Sequence, residues 1–83
     1  MAPHRVTRQL EILALRSSEL AERVAAGELR FLDAIDVAYD AAQWAGLPAA
    51  IEKSGLIDSK KIKGDDVVQA TIAAAFANAR APT

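Results

Sequence analysis

The sequence predicts an all-α fold, a small bundle of three main helices plus a short helix, completed by oligomerisation. Three observations lead to this prediction. Apolar residues recur every three or four positions along most of the chain, which is the spacing of one helix face. Single glycines stand between these periodic segments, where helices commonly end. Alanine makes up about a quarter of the chain, a bias typical of closely packed helices.

The length of 83 residues indicates one helical domain, residues 1–83, in which we expect 1–5 and 80–83 to be frayed tails. A domain of this size buries little apolar surface and commonly depends on disulfides, metals or oligomerisation. The chain has no cysteine and one histidine, which excludes disulfides and leaves few ligands for zinc. We therefore predict a homo-oligomer with no metal and no cofactor.

The net charge of -1 gives the chain no general attraction for nucleic acid or for an anionic membrane. No apolar run approaches the ~20 residues of a membrane span, and the first ten residues lack the apolar segment of a signal peptide. The alanine bias also follows from GC-rich coding. We expect a cytoplasmic bacterial protein that makes no membrane contact.

The first helix is predicted to run from Val6 to Val24 and to end at Gly27. Its apolar seam follows steps of three and four and consists of Val6, Leu10, Leu13, Leu20 and Val24, with Ser17 in the one polar position. Ile12 and Leu15 lie off the seam, so the middle of the helix is apolar on two sides. A neighbouring helix that covers the seam leaves these two residues open to water, unless the last helix wraps over them.

The second helix is predicted to begin at Leu29 or Arg30 and to end at Ala45, before Gly46 and Pro48. Its predicted buried face consists of Phe31, Leu32, Ile35, Ala38, Tyr39 and Ala42. Its predicted solvent face consists of Asp33, Asp36, Asp40 and Gln43. Trp44 lies between the two faces, where we expect it to cover a helix end or a subunit contact.

A short helix is predicted to open at Pro48 and to close at Gly55, followed by a loop. The last helix is predicted to start at "GDD", where Asp65 caps the helix and Asp66 interacts favourably with its dipole. Its predicted core stripe consists of Val68, Ile72, Ala75, Phe76 and Ala79.

The three aspartates of the second helix form a row on one side of it. A divalent cation there needs further oxygen ligands from a second element, and few acidic residues remain to supply them. Arginines recur every seven residues beside the seam of the first helix, at Arg16, Arg23 and Arg30, and face the row if the first two helices form a hairpin. We favour a solvated or salt-bridged face; a docking face for a basic partner and a metal site are the alternatives.

No set of residues in the sequence indicates catalysis. His4 has no nucleophile or acid at a fixed spacing, and Ser17 and Ser18 have no base to activate them. We expect the Ser17 hydroxyl to bond its own helix backbone. The glycines are single, so there is no phosphate-binding loop. We predict a protein that is not an enzyme, with no catalytic and no cofactor-binding residue.

A DNA-binding role is weakly indicated by "SSELAERVAAGEL", whose apolar positions match the first half of a helix-turn-helix. The helix that would then enter the major groove carries the aspartate row, which phosphates repel. The remaining alternative is a nucleic-acid-associated regulator that contacts phosphates through Lys60, Lys61 and Lys63.

The function that the sequence favours is a non-enzymatic helical protein–protein interaction module or a small accessory subunit. It is expected to self-associate through the first helix, because exposed apolar stripes usually mark association surfaces. An unidentified protein partner is the other candidate. The predicted interface residues are Ile12, Leu13, Leu15, Leu20 and Trp44.

Overall fold

The computed structural model describes residues 4–58 and 60–80, and the side chains of residues 5–58 and 60–78. Within these residues it contains no strand and four helices, α1 (His4–Ala25), α2 (Phe31–Trp44), α3 (Leu47–Ser54) and α4 (Gly64–Arg80). The predicted all-α fold with three main helices and one short helix is therefore confirmed. No helix in the described part of the chain is both long and apolar enough to cross a membrane.

The helix bounds follow the sequence signals closely. α1 extends to His4 and α4 to Arg80, so that His4, Arg5 and Arg80, which we expected in frayed tails, belong to helices. Gly46 has the positive φ of 67° that a side chain disfavours, and it turns the chain so that Leu47 is buried.

The core lies between α1 and α4 and is closed by α2 and α3. α1 packs along most of α4, and the buried residues of the two helices join one cluster. From α1 and α4 that cluster contains Val6, Leu13, Ala21, Val68, Ile72 and Phe76. The described part of the predicted α4 stripe is buried as expected, while Ala79 lies outside the described side chains.

The buried face of α2 is made of alanines, of which Ala38 and Ala42 were predicted there, and the predicted Ile35 and Tyr39 pack partly buried against the core. Ala34, Ala38 and Ala42 are almost fully buried, whereas Phe31 is 41% exposed and Leu32 is 73% exposed. The alanine stripe faces the core because residues four apart lie on the same side of a helix. Placing Phe31 and Leu32 on the buried face was therefore wrong, although the Phe31 ring still meets the Phe76 ring edge-on with centroids 5.6 Å apart.

α3 and α4 meet at a backbone contact that requires glycine. A Cβ atom on Gly64 would lie 1.9 Å from the carbonyl oxygen of Pro48, far inside van der Waals contact. The Gly64 N–H also donates a hydrogen bond to the Glu52 carboxylate at 2.8 Å. The sequence "GDD" thus contributes its glycine to packing between the two helices.

The start of α4 differs from the prediction in which residue caps it. The carbonyl of Lys63 accepts the first helical hydrogen bonds, and the Asp66 carboxylate accepts one from the Lys63 N–H at 3.4 Å. Lys63 is therefore the capping position, and Asp66 reaches back to it as in a capping box. Asp65, which we predicted as the cap, lies within the first turn and serves a different contact.

Candidate functional site

A groove runs between α1 and α2, because α2 meets α1 through residues too small to fill the space. It consists of two adjoining concavities of about 220 and 410 Å³, which share Leu13, Arg16 and Ala41. We call it the α1–α2 groove. It is lined by Gln9, Ile12, Leu13, Arg16, Glu19, Leu20 and Arg23 of α1, by Val37, Ala38, Ala41 and Ala42 of α2, and by Ala45 and Leu47 just after α2. Its floor is apolar, which suits a surface that takes up apolar side chains.

Large apolar side chains stand exposed in this groove or close to it. Ile12 and Val37 line the groove, and Trp44, seven residues from Val37, lies on the same side of α2. Trp44 is 92% exposed, Val37 is 53% exposed and Ile12 is 45% exposed. Leu15, three residues from Ile12, is 65% exposed. We call the groove and these four side chains the α1–α2 face. Exposed apolar residues that lie in and near one apolar groove are typical of an association surface.

The two rims carry opposite charge. Arg16 and Arg23 line the groove from α1, together with Glu19. On α2, Asp33 and Asp40 are exposed and lie four and three residues from Val37, on the outer edge of the helix. Among the described side chains, no ion pair joins these arginines to these aspartates. The predicted pairing of the two rows within one chain is therefore not present, because the groove and Val37 separate them.

Of the predicted interface residues, the structure leaves three on the surface. Ile12, Leu15 and Trp44 are exposed, Leu20 is partly buried, and Leu13 is buried in the core of the chain at 5% exposure. α4 covers neither Ile12 nor Leu15, so the alternative in which the last helix wraps over them is wrong. The interface itself stays a prediction, centred on the three exposed residues.

Lys60, Lys61 and Lys63 are exposed in the connection between α3 and α4, away from the α1–α2 groove. The Asp58 carbonyl accepts hydrogen bonds from the backbone of Lys61 and Ile62, which closes a tight turn. The segment 58–66 holds three lysines and three aspartates, so its net charge is zero. A segment of balanced charge has little attraction for phosphates.

A polar cluster that we did not predict joins α2 to α4 through Asp65. Its carboxylate accepts hydrogen bonds from the Tyr39 hydroxyl, from the Gln43 side chain at 3.0 Å and from the Gln69 side chain at 2.8 Å. The hydrogen bond to Asp65, partial burial and the negative charge of Asp65 raise the pKa of Tyr39 above its usual value. The hydroxyl therefore stays protonated and acts as a donor, so the cluster ties two helices together. A buried-face tyrosine needs a hydroxyl partner, but sequence spacing does not say which helix supplies it.

Neither Ser17 nor the acidic side chains belong to a cluster of metal ligands among the described residues. Ser17 is fully buried, and its Oγ atom has no hydrogen-bond partner among the described atoms, which corrects the expected bond to its own helix. Among the described side chains of residues 5–58 and 60–78, no three of histidine, cysteine, aspartate or glutamate lie close enough together to hold a metal ion. The side chain of His4 lies outside the described residues.

Comparison of the chain with protein-family models, with curated proteins and with solved structures found no match. The α1–α2 face is therefore the candidate functional site on the grounds of its geometry alone.

Proposed function

We propose that the protein is a non-enzymatic helical interaction module that self-associates through the α1–α2 face. The observation that carries this proposal is the open apolar groove lined by Ile12 and Val37, with the exposed Trp44 on the same side of α2 as Val37. Exposure of this apolar surface to water is unfavourable in free energy, and a second protein surface that covers it removes the exposure.

Apolar contacts contribute more free energy to such an association than surface charges do. A fully exposed side chain such as Ile or Val gains ~1.5–3 kcal/mol when it is buried. Ile12 and Val37 expose about half of that surface and Trp44 nearly all of it, so a partner that covers all three gains several kcal/mol. Surface ion pairs contribute only ~0–1 kcal/mol each. Self-association also supplements the thin core of a chain of 83 residues without disulfides.

Sedimentation velocity at tens of micromolar tests the proposal. The wild-type protein is expected to sediment as a species whose mass is twice the 8.8 kDa of one chain, or a higher multiple of it. Ile12→Asp places a charge on the face and is expected to give a monomer of unchanged helical content by circular dichroism.

The chain offers a matched control in Ile62, which is 44% exposed, almost as much as Ile12, but lies outside the groove. Ile62→Asp is expected to keep the wild-type mass. A single wild-type species near 8.8 kDa contradicts self-association. If Ile12→Asp and Ile62→Asp change the mass equally, the α1–α2 face is not the surface of self-association.

A further inference from the structure

The groove fixes the register in which α1 and α2 run past each other. Ile12 and Ala45 line one concavity, and Leu20 and Val37 line the next. Rising numbers on α1 thus correspond to falling numbers on α2, so the two helices are antiparallel. Each position on one rim therefore has a defined position on the other rim at the same height along the helices.

In this register, opposite charges stand at matching heights on the two rims. Arg16 lies at the height of Asp40, and Arg23 lies at the height of Asp33. Glu19, the acidic residue on the α1 rim, lies at the height of Val37 and faces no aspartate. The groove keeps the pairs apart within one chain, as described above.

We infer that the occupant of the groove is a second copy of this chain, related by a two-fold axis that runs along the groove parallel to the helices. This inference rests on the proposed function. Such an axis places α1 of each copy face to face with α2 of the other copy. It leaves the position of every residue along the helix direction unchanged. Arg16 then meets Asp40 of the second copy, Arg23 meets Asp33 and Ile12 meets Trp44. Each contact occurs twice, as in any isologous interface.

The charges argue against the other simple two-fold arrangement. An axis perpendicular to the helices stacks α1 on α1 and α2 on α2. α2 has three aspartates and no basic residue, so this arrangement brings acidic rows together. Like charges placed opposite one another select against a wrong pairing. With the parallel axis, the arginines of α1 in each copy instead face the aspartates of α2 in the other copy.

The size of the molecule permits this interface. Its principal extents are 40 × 26 × 21 Å, so one long face is large enough for the ~800 Å² per partner of a standard interface. Arg16 and Arg23 line the groove itself, and Asp33 and Asp40 lie on the outer edge of α2, so the charges lie beside the apolar floor, where a second copy reaches them.

A mixing experiment with two charge-reversed variants tests the arrangement. In the Arg16→Asp homodimer, both symmetric contacts place one carboxylate against another; in the Asp40→Arg homodimer, both place one guanidinium against another. Since each change acts twice, each variant alone is expected to dimerise roughly tenfold more weakly than wild type. In an equimolar mixture, the introduced aspartate of one variant meets the introduced arginine of the other. The second contact keeps its native pair of Arg16 and Asp40, so the mixed dimer is expected to recover wild-type affinity within about threefold.

Mixing separates contacts between copies from effects inside one copy, because each chain in the mixture keeps its own altered rim. Lys61→Asp makes the same change of charge outside the groove and is expected to leave dimerisation unchanged. Arg23→Asp mixed with Asp33→Arg repeats the test at the second contact if a variant of the first pair loses helix by circular dichroism. A wild-type monomer overturns the proposed function. A wild-type dimer whose charge-reversed variants dimerise normally, or fail to recover on mixing, overturns only this arrangement.

Discussion

The two sides of α1 illustrate how opposing side chains decide whether an apolar surface becomes core. Towards α4, the core is filled by Val68, Ile72 and Phe76, each at most 3% exposed. Towards α2, α1 meets alanines, and a groove stays open between the helices. α1 has apolar residues on both sides, so the difference comes from the volume that the neighbouring helix supplies. The filled side stabilises the chain and the unfilled side is available to a partner.

The largest effect that this comparison predicts is a difference between two isoleucines. Ile72→Ala empties a site that is 3% exposed and is expected to cost about 2–5 kcal/mol of unfolding free energy. Ile12→Ala, at a residue 45% exposed, is expected to cost less than about 1 kcal/mol in the monomer. Urea unfolding followed by circular dichroism, at concentrations low enough to keep the chain monomeric, measures both. Similar costs would show that the two sides of α1 are packed alike.

A smaller change in the free energy of unfolding, and one that stabilises the chain, is expected at Ser17, which lies on the packed side of α1. Its buried hydroxyl is unpartnered, and such a group costs about 1–3 kcal/mol of desolvation. Ser17→Ala is therefore expected to stabilise the chain by about 1 kcal/mol, as a higher urea midpoint. Ser18→Ala, at a partly buried neighbour, is the control and is expected to change stability by less than about 0.5 kcal/mol. Destabilisation by Ser17→Ala alone would indicate that the hydroxyl has a partner.

The smallest expected effect concerns the Tyr39–Asp65 contact between α2 and α4. Because the pKa of Tyr39 is raised, the contact contributes its full stability below the ordinary tyrosine pKa of about 10 and loses it as the pH rises through the folded value. Tyr39 is the one tyrosine of the chain, so phenolate absorbance reports its titration directly. The midpoint is expected above about 10 in wild type and closer to about 10 in Asp65→Asn. Equal midpoints would show that Asp65 does not hold the hydroxyl.

The sequence predicted the helices better than it predicted which of their sides are buried. Helix ends depend on local signals such as Gly46 and Pro48, which were interpreted correctly. The α4 stripe was also correct, because the large apolar residues Val68, Ile72 and Phe76 follow one another at steps of four. α2 has several apolar stripes, and choosing between the one at Leu32 and the one at Ala34 requires knowing which helices lie against it.

The sequence indicated some exposed residues of the candidate site but neither most of its lining nor its shape. Ile12 and Leu15 lie off the seam of α1, and the expectation that they stand open to water agrees with the structure. The groove was not predictable, because it depends on the small residues of α2 that happen to face α1. Asp65 was assigned to helix capping by a local rule, whereas its partners come from α2 and from further along α4.

The emission of Trp44 tests the central claim most directly. It is the one tryptophan of the chain, it is 92% exposed, and it lies on the same side of α2 as Val37, which lines the groove. We expect the emission maximum of Trp44 at submicromolar concentration to be that of a tryptophan in water. As the protein concentration rises, the maximum is expected to shift to the blue together with the doubling of mass. Ile12→Asp is expected to abolish the shift and Ile62→Asp to keep it. An emission maximum that stays constant while the mass doubles would show that the chain self-associates through another surface and would contradict the account.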